Sequence, residues 1–484
     1  MRRKTQALTV NAALNVMKQV CSIIFPMITF PYASRVLGAE IYGKINFSAS
    51  IVSYISLLAA LGINNYAIRE GARVRGDKSA FGKLVNEIFS MNLILTMGAY
   101  FVLAVLMLFV PTIRALNVLL LIQSLTVFFT TIGTDWINVI FEDYLYITVR
   151  YITSQSIAVV LMLLLVKKQN DYLLYAVSSV CSVILANILN FFYIRKKLNL
   201  HIQFTWHVNM KTHFKPVIIM FGGSVASFIY INSDITLLGL IKDNITVGYY
   251  SVSAKIYSLV KQIINAALIV LIPRISFEIS SGKQDKVINK LSVILNVMIL
   301  LIVPACIGLY MLSGNIVILI SGTQYLPSCS SLMILSVALL FASTACFYVH
   351  VVMIPFRMES KVFFATSISA LTNICLNIVL IPFWGQNAAA FTTVISEILI
   401  FVCGYIFSRK LVQIRYNKSI LVSVIEGIAI YIICTICQIL FRENILVILI
   451  SILVSVCACI LIVMIGYINE IRCFVTNKHR NVKE

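Results

Sequence analysis

About fourteen apolar stretches, each long enough to cross a bilayer and separated by short polar breaks, fill nearly all of this 484-residue chain. A spanning helix needs roughly 20 mostly apolar residues. The predicted spans lie at about 8–33, 44–66, 84–110, 115–136, 146–166, 171–194, 216–241, 246–273, 291–313, 328–354, 362–383, 388–408, 419–440 and 445–468. With 60% hydrophobic residues the chain is far from soluble composition. The expected fold is an all-α polytopic membrane protein, and its function has to be read from the few polar groups inside the spans.

The first apolar stretch follows Arg2, Arg3 and Lys4, but it is too long for a signal-peptide core and no small-residue cleavage site follows. It is expected to stay as the first helix. With the N-terminus inside, the inner connections carry 27 Lys or Arg and the outer ones 7. That asymmetry predicts cytoplasmic ends for the chain. The net charge of +20 resides in inner-loop clusters such as Arg69, Arg73, Arg75, Lys78 and Lys83. Orientation signals and anionic headgroups account for it, and no nucleic-acid partner is implied. Twelve cysteines fall almost entirely within spans. Cys434 and Cys437 have CxxC spacing without a histidine or second pair in reach, and read as packing residues.

The polar connection 195–215 is the longest, and it suggests two six-helix lobes, 1–205 and 206–408, with 409–484 supplying two further spans and a cytoplasmic tail. A weak internal match supports this division. Leu37-Gly38, Tyr42-Gly43 and Ser48-Ala49 parallel Leu238-Gly239, Val247-Gly248 and Ser253-Ala254. An even number of spans separates the copies, so the lobes form a parallel pseudo-repeat.

Polar side chains recur at helical spacing on several spans. Asn11, Asn15, Lys18 and Ser22 share one face of the first span, and Ser251, Lys255, Ser258, Gln262 and Asn265 share one face of the eighth. Asn46, Ser50 and Ser53 mark the second span, while Ser227, Tyr230 and Asp234 mark the seventh. Serine and asparagine alone suit helix-to-helix glue. Lysine is different, because an ammonium inside a span costs roughly 2.5–3.5 kcal/mol and faces a wet cavity or a partner. Lys18 and Lys255 are therefore the leading candidates to bind an anionic substrate. Lys261 lies about 120° around the helix from Lys255, and Arg150 lies near an inner end, where snorkelling is the plain alternative. Asp234 and Glu397 are buried acids suited either to pairing with lysine or to binding a coupling proton or sodium ion.

Other chemistry finds no support. Gly38 to Lys44 resembles a phosphate-binding loop, but Ile45 stands where Ser or Thr should follow. The histidines lack metal-site spacing, Glu142 and Asp143 suit capping or solvated roles, and the outer connections are too short for a catalytic domain. The sequence calls for no catalytic residue, metal or cofactor. A multidrug or cation antiporter would want an acidic cavity; a polysaccharide polymerase or glycosyltransferase would want a large charged outer loop.

Several ordered segments carry a resemblance. They are Pro31-Tyr32 to Gly38 with Tyr42-Gly43, Asp135-Trp136 with Glu142, Asp234 with Val247 to Tyr250 and Ala254-Lys255-Ile256, Pro273-Arg274, and Ile381-Pro382 with Gly385 and Ala388 to Ala390. Together they resemble the Wzx-type polysaccharide repeat-unit flippases of the multidrug/oligosaccharidyl-lipid/polysaccharide exporter superfamily. Phe141 and Asn387 depart from glycines that the family often has there. The resemblance implies a bacterial inner-membrane flippase that moves undecaprenyl-diphosphate-linked oligosaccharide outward by alternating access, for O-antigen or capsular polysaccharide. It implies membrane lipids, a polysaccharide polymerase and a chain-length regulator as further partners. The head group would meet Lys18 and Lys255, with Asn11, Asn15, Ser251, Ser258, Gln262 and Asn265 offering hydrogen bonds and Lys261 and Arg150 adding charge.

Overall fold

The computed structural model describes residues 8–206, 210–280, 284–409 and 418–467. Among these, every regular element is helical. Apolar side chains dominate the outward faces, with Phe109 78%, Ile465 69% and Leu453 67% exposed, as lipid contact requires. The chain is a multi-pass membrane protein, and it divides into two compact units, Met1–Gly248 and Tyr249–Glu484.

In the first unit α1 (Leu8–Ala60) carries the first predicted span and most of the second. Where the sequence suggests a ten-residue break, one residue suffices: Gly38, at φ 75°, is the only non-helical position. Leu61 and Gly62, both at positive φ, end this run, and α2 (Ile63–Val74) follows. Asp77 caps α3 (Lys78–Phe109) by accepting from the Ser79 and Ala80 N–H groups at 2.8 and 3.2 Å. Next come α4 (Pro111–Arg114), α5 (Asn117–Gly133), α6 (Trp136–Ile140), α7 (Tyr144–Leu165), α8 (Tyr172–Lys197) and α9 (Met210–Ile241). The linker between α8 and α9 is fastened to α3. The Gln203 N–H donates to Asn86 Oδ1 at 3.0 Å and the Thr205 N–H to Ser90 Oγ at 2.8 Å.

α9 packs on the second half of α1. Thr236 Oγ1 donates to Ser50 Oγ at 2.9 Å, and the Tyr54 and Phe228 rings meet edge-on at 5.6 Å. The glycines of the internal match meet where α10 (Asn244–Ser280) begins. A Cβ on Gly43 would lie 1.7 Å from the Asn244 carbonyl oxygen, and one on Gly248 would lie 2.0 Å from that of Ala39. The two backbones touch at a crossing that any side chain would block.

The second unit holds the remainder of α10, then α11 (Gln284–Met311), α12 (Ser313–Ser321), α13 (Ser328–Cys346), α14 (Glu359–Trp384), α15 (Gln386–Ser408), α16 (Ser419–Leu440) and α17 (Asn444–Gly466). A π-helical turn, Phe347–Met353, continues α13. α15 lies against α13 and α14, and α16 lies against α11 and α17. Cys434 and Cys437 pack with Leu312, Ile430 and Val447 in an apolar cluster.

Neither departure from the family's glycines strains the backbone. Phe141 has φ −88° and packs edge-on against Phe81 at 5.3 Å, leaving the positive φ to Glu142. The Asn387 Oδ1 accepts from Ser330 Oγ at 2.8 Å beside fully buried Ala388, Ala389 and Ala390.

Candidate functional site

On α1, Asn11 is buried with Oδ1 unpartnered, and Asn15 is exposed. Lys18 is half-buried, its ammonium 5.9 Å from the Tyr151 ring centroid on α7. No carboxylate pairs with it among the described residues. α7 is held against this stretch by Thr148 Oγ1, which donates to the Leu14 carbonyl at 3.1 Å.

Arg150, one residue before Tyr151, does not reach outward as snorkelling would require. It is 7% exposed, pairs with Asp135 and lies over the Tyr146 ring at 5.4 Å. Its Nε and Nη1 atoms are buried without partners. Tyr146 in turn stacks on Tyr193 at 3.5 Å. The stripe on the second half of α1 serves its own helix: Asn46 Nδ2 donates to the Tyr42 carbonyl at 2.7 Å and Ser53 Oγ to that of Ala49 at 2.8 Å. Asp234 is buried on α9, within electrostatic reach of Tyr54. The side chains of Ser227 and Tyr230 lie outside the described residues.

In the second unit the α10 stripe separates into two groups. Lys261 Nζ lies 2.6 Å from Glu397 Oε1 on α15, and the Tyr257 hydroxyl donates to the same oxygen at 3.3 Å. The Lys261 ammonium also sits 5.6 Å from the Tyr257 ring centroid. Glu397 is 3% exposed, and its partner Lys261 is half-buried. Lys255, half-buried six residues earlier, has neither an ion pair nor a hydrogen bond among the described residues. Along the same face of α10, Ser251 and Asn265 have buried oxygens without partners, Ser258 accepts from Gln262 Nε2 at 3.0 Å, and Gln262 is exposed. The α10 face therefore offers open donors and acceptors beside an uncompensated ammonium.

Two clusters carry no sequence signature. Asp135 joins Arg150, and His213 on α9 joins Tyr66 and Glu87, from residues separated by 147 and 126 positions. Helical periodicity relates neighbours on one helix and is blind to such pairs.

The polysaccharide biosynthesis protein family matches residues 8–277. The chain belongs to that family. A probable low-salt glycan biosynthesis flippase, Agl15 of Haloferax volcanii, is 23% identical over 200 residues, 40% of this chain. The aligned stretch spans 41% of that relative's own length. Among solved structures, the lipid II flippase MurJ in an inward closed conformation superposes with a TM-score of 0.73 at 16% identity, covering 96% of this chain and 100% of its own. An inward-facing multidrug resistance MATE family transporter of the MOP superfamily gives 0.60 at 12% identity, covering 80% and 97%. At such identities the likeness is one of fold, and this polysaccharide biosynthesis family member shares the fold of flippases and transporters.

Proposed function

We propose that this polysaccharide biosynthesis family member is a flippase for lipid-linked oligosaccharide. The cargo is undecaprenyl-diphosphate-linked repeat units, carried from the cytoplasmic to the outer leaflet of a bacterial inner membrane for O-antigen or capsular polysaccharide, with both chain ends cytoplasmic. The two six-helix lobes of the internal repeat alternate access to it.

One observation supports this reading above the others. Of the four cations in the interior of the predicted spans, Arg150 and Lys261 have carboxylate partners, whereas Lys18 and Lys255 have none among the described residues. An ammonium that no acid neutralises within a bilayer calls for an anion from outside the chain, and a diphosphate supplies it. Asn11, Asn15, Ser251, Ser258, Gln262 and Asn265 then hydrogen-bond sugar hydroxyls. Arg150 and Lys261 complete the candidate cations for the cargo, and Asp234 and Glu397 are the places for a coupling proton or cation. An inside-negative potential helps: about 2.3 kcal/mol per charge per 100 mV, twice that for two outward-moving negative charges.

The test is a strain dependent on this protein for surface polysaccharide. Lys18→Ala and Lys255→Ala are each expected to lower translocation about 10- to 100-fold at equal protein level, the loss of a charge-assisted contact worth about 1.5–3 kcal/mol. Normal polysaccharide in both variants overturns the head-group assignment. Export of organic cations in place of glycan would favour a multidrug antiporter.

A further inference from the structure

The first unit holds a buried titratable cluster that translocation, as described, leaves unused. His213 near the start of α9 is 5% exposed. Its Nδ1 lies 2.6 Å from the Tyr66 hydroxyl on α2, and its Nε2 lies 2.7 Å from Glu87 Oε2 on α3. The Tyr66 and His213 rings meet edge-on at 5.6 Å. Tyr66, at 4%, and Glu87, at 9%, are buried as well. Ile63, Ile88, Met91 and Val217 make the surrounding cluster apolar.

The other charged groups on the elements packed here are already engaged or lie at the surface. Glu70 on α2 accepts from Arg69 and Arg73, Glu142 pairs with Arg75, and Asp135 with Arg150. The Arg69 guanidinium stands 5.8 Å from the Tyr66 ring centroid. Lys78 and Lys83 on α3 and His201 on the linker are exposed, and the side chains of Lys211 and Lys215 on α9 lie outside the described residues. Among the described residues, Glu87 is the carboxylate within hydrogen-bond reach of His213.

The three groups stay hydrogen-bonded in both charge states of the imidazole. When it is neutral, Nε2–H donates to Glu87 and Nδ1 accepts from the Tyr66 hydroxyl. When it is protonated, both ring nitrogens donate and the Tyr66 oxygen becomes the acceptor. Protonation keeps both contacts and reverses the Tyr66 one, whose O–H gives up Nδ1 as its acceptor. What also changes is charge: an ionised Glu87 in an apolar cluster is costly alone, and the imidazolium compensates it. Imidazole is the side chain whose ordinary titration falls between pH 5 and 8.

We propose that Tyr66, His213 and Glu87 form a proton-binding site that fastens the start of α9 to α2 and α3, gripping more firmly with the proton bound and loosening as pH rises. The site requires no cargo and stands whether or not the transport reading does.

Hydrogen–deuterium exchange on the purified full-length protein tests it, read on peptides covering the first turns of α9 between pH 5.5 and 8.5 and corrected for intrinsic exchange. Wild-type protection there is expected to fall at least 10-fold across that range while α5 and α16 stay level. Glu87→Gln removes the charge to be compensated and is expected to flatten the profile, as is His213→Gln. Tyr66→Phe, which deletes only a hydroxyl, is expected to lower protection but keep its pH dependence. A flat wild-type profile, or a Glu87→Gln profile that follows wild type, overturns the proposal. If His213→Gln fails to fold, the Glu87 and Tyr66 variants decide the question.

Discussion

Of the four span cations, each unit has one with a carboxylate partner and one with none among the described residues, but the two treat the second cation differently. In the first unit Lys18, unpaired among the described residues, rests over the Tyr151 ring, and the paired Arg150 immediately precedes that tyrosine on α7. In the second, both cations are on α10, and the aromatic ring serves the paired one: Tyr257 lies under Lys261, and Lys255 has neither acid nor ring among the described residues. A ring recovers part of a cation's lost hydration. Burial alone therefore does not rank the two open lysines; what surrounds the ammonium does, and Lys255 is the more dependent on an external anion.

Arginine substitution sharpens that contrast with the largest expected effect. Arg stacks on aromatic faces more readily than Lys, so Lys18→Arg should keep translocation within about 3-fold of wild type. Lys255→Arg, on a face without a ring, should lose about 10-fold or more. Equal effects at the two positions, in a quantitative surface-polysaccharide assay, would erase the distinction.

The paired cations give the next largest effect, this time on stability. Glu397→Gln removes the acid beside the half-buried Lys261 ammonium and is expected to cost about 2–3 kcal/mol, read as a lowered thermal midpoint in detergent. The double variant Glu397→Gln with Lys261→Met should recover most of it. Asp135→Asn should cost less, about 1–2 kcal/mol, because Asp135 is 43% exposed and water screens the pair. If Glu397→Gln is silent, the α10 pair is not the anchor that distinguishes it from Lys255.

The smallest effect lies just outside the spans. Asp243 accepts the Thr246 N–H at 2.7 Å at the start of α10, and that backbone bond holds its carboxyl below its ordinary value. Its stabilisation is thus present above the unfolded value near pH 4 and is lost as pH falls through the lower folded value. Asp243→Ala should cost about 0.5–1 kcal/mol at pH 7 and nothing at pH 2. Asp243→Asn should behave like wild type at pH 7, measured by thermal unfolding.

Much of this fold was legible because lipid imposes a simple grammar: long apolar runs become helices, and the run at 8–33 and most of that at 44–66 lie on α1. The join between them was not legible. The sequence between residues 34 and 43 reads as a polar break, yet the helix runs through it apart from Gly38. The repeated glycines were visible as a match, but only coordinates reveal that Gly43 and Gly248 serve the same crossing. Lys18 and Lys255 stood out because ammonium groups are rare in lipid. Which cations are neutralised was hidden, since Lys261 and Glu397 stand 136 positions apart on different helices.

The linker ahead of α9 separates the two predicted lobes in sequence, and its attachment to α3 gives it a second character. Its two backbone N–H groups button onto Asn86 and Ser90, and the Ser90 hydroxyl is itself turned the right way by donating to the Asn86 carbonyl at 2.7 Å. Side chains, not a neighbouring strand, hold this tether, so it can be undone stitch by stitch without unwinding any helix. Inserting a single residue into it would slide both buttons past their holes.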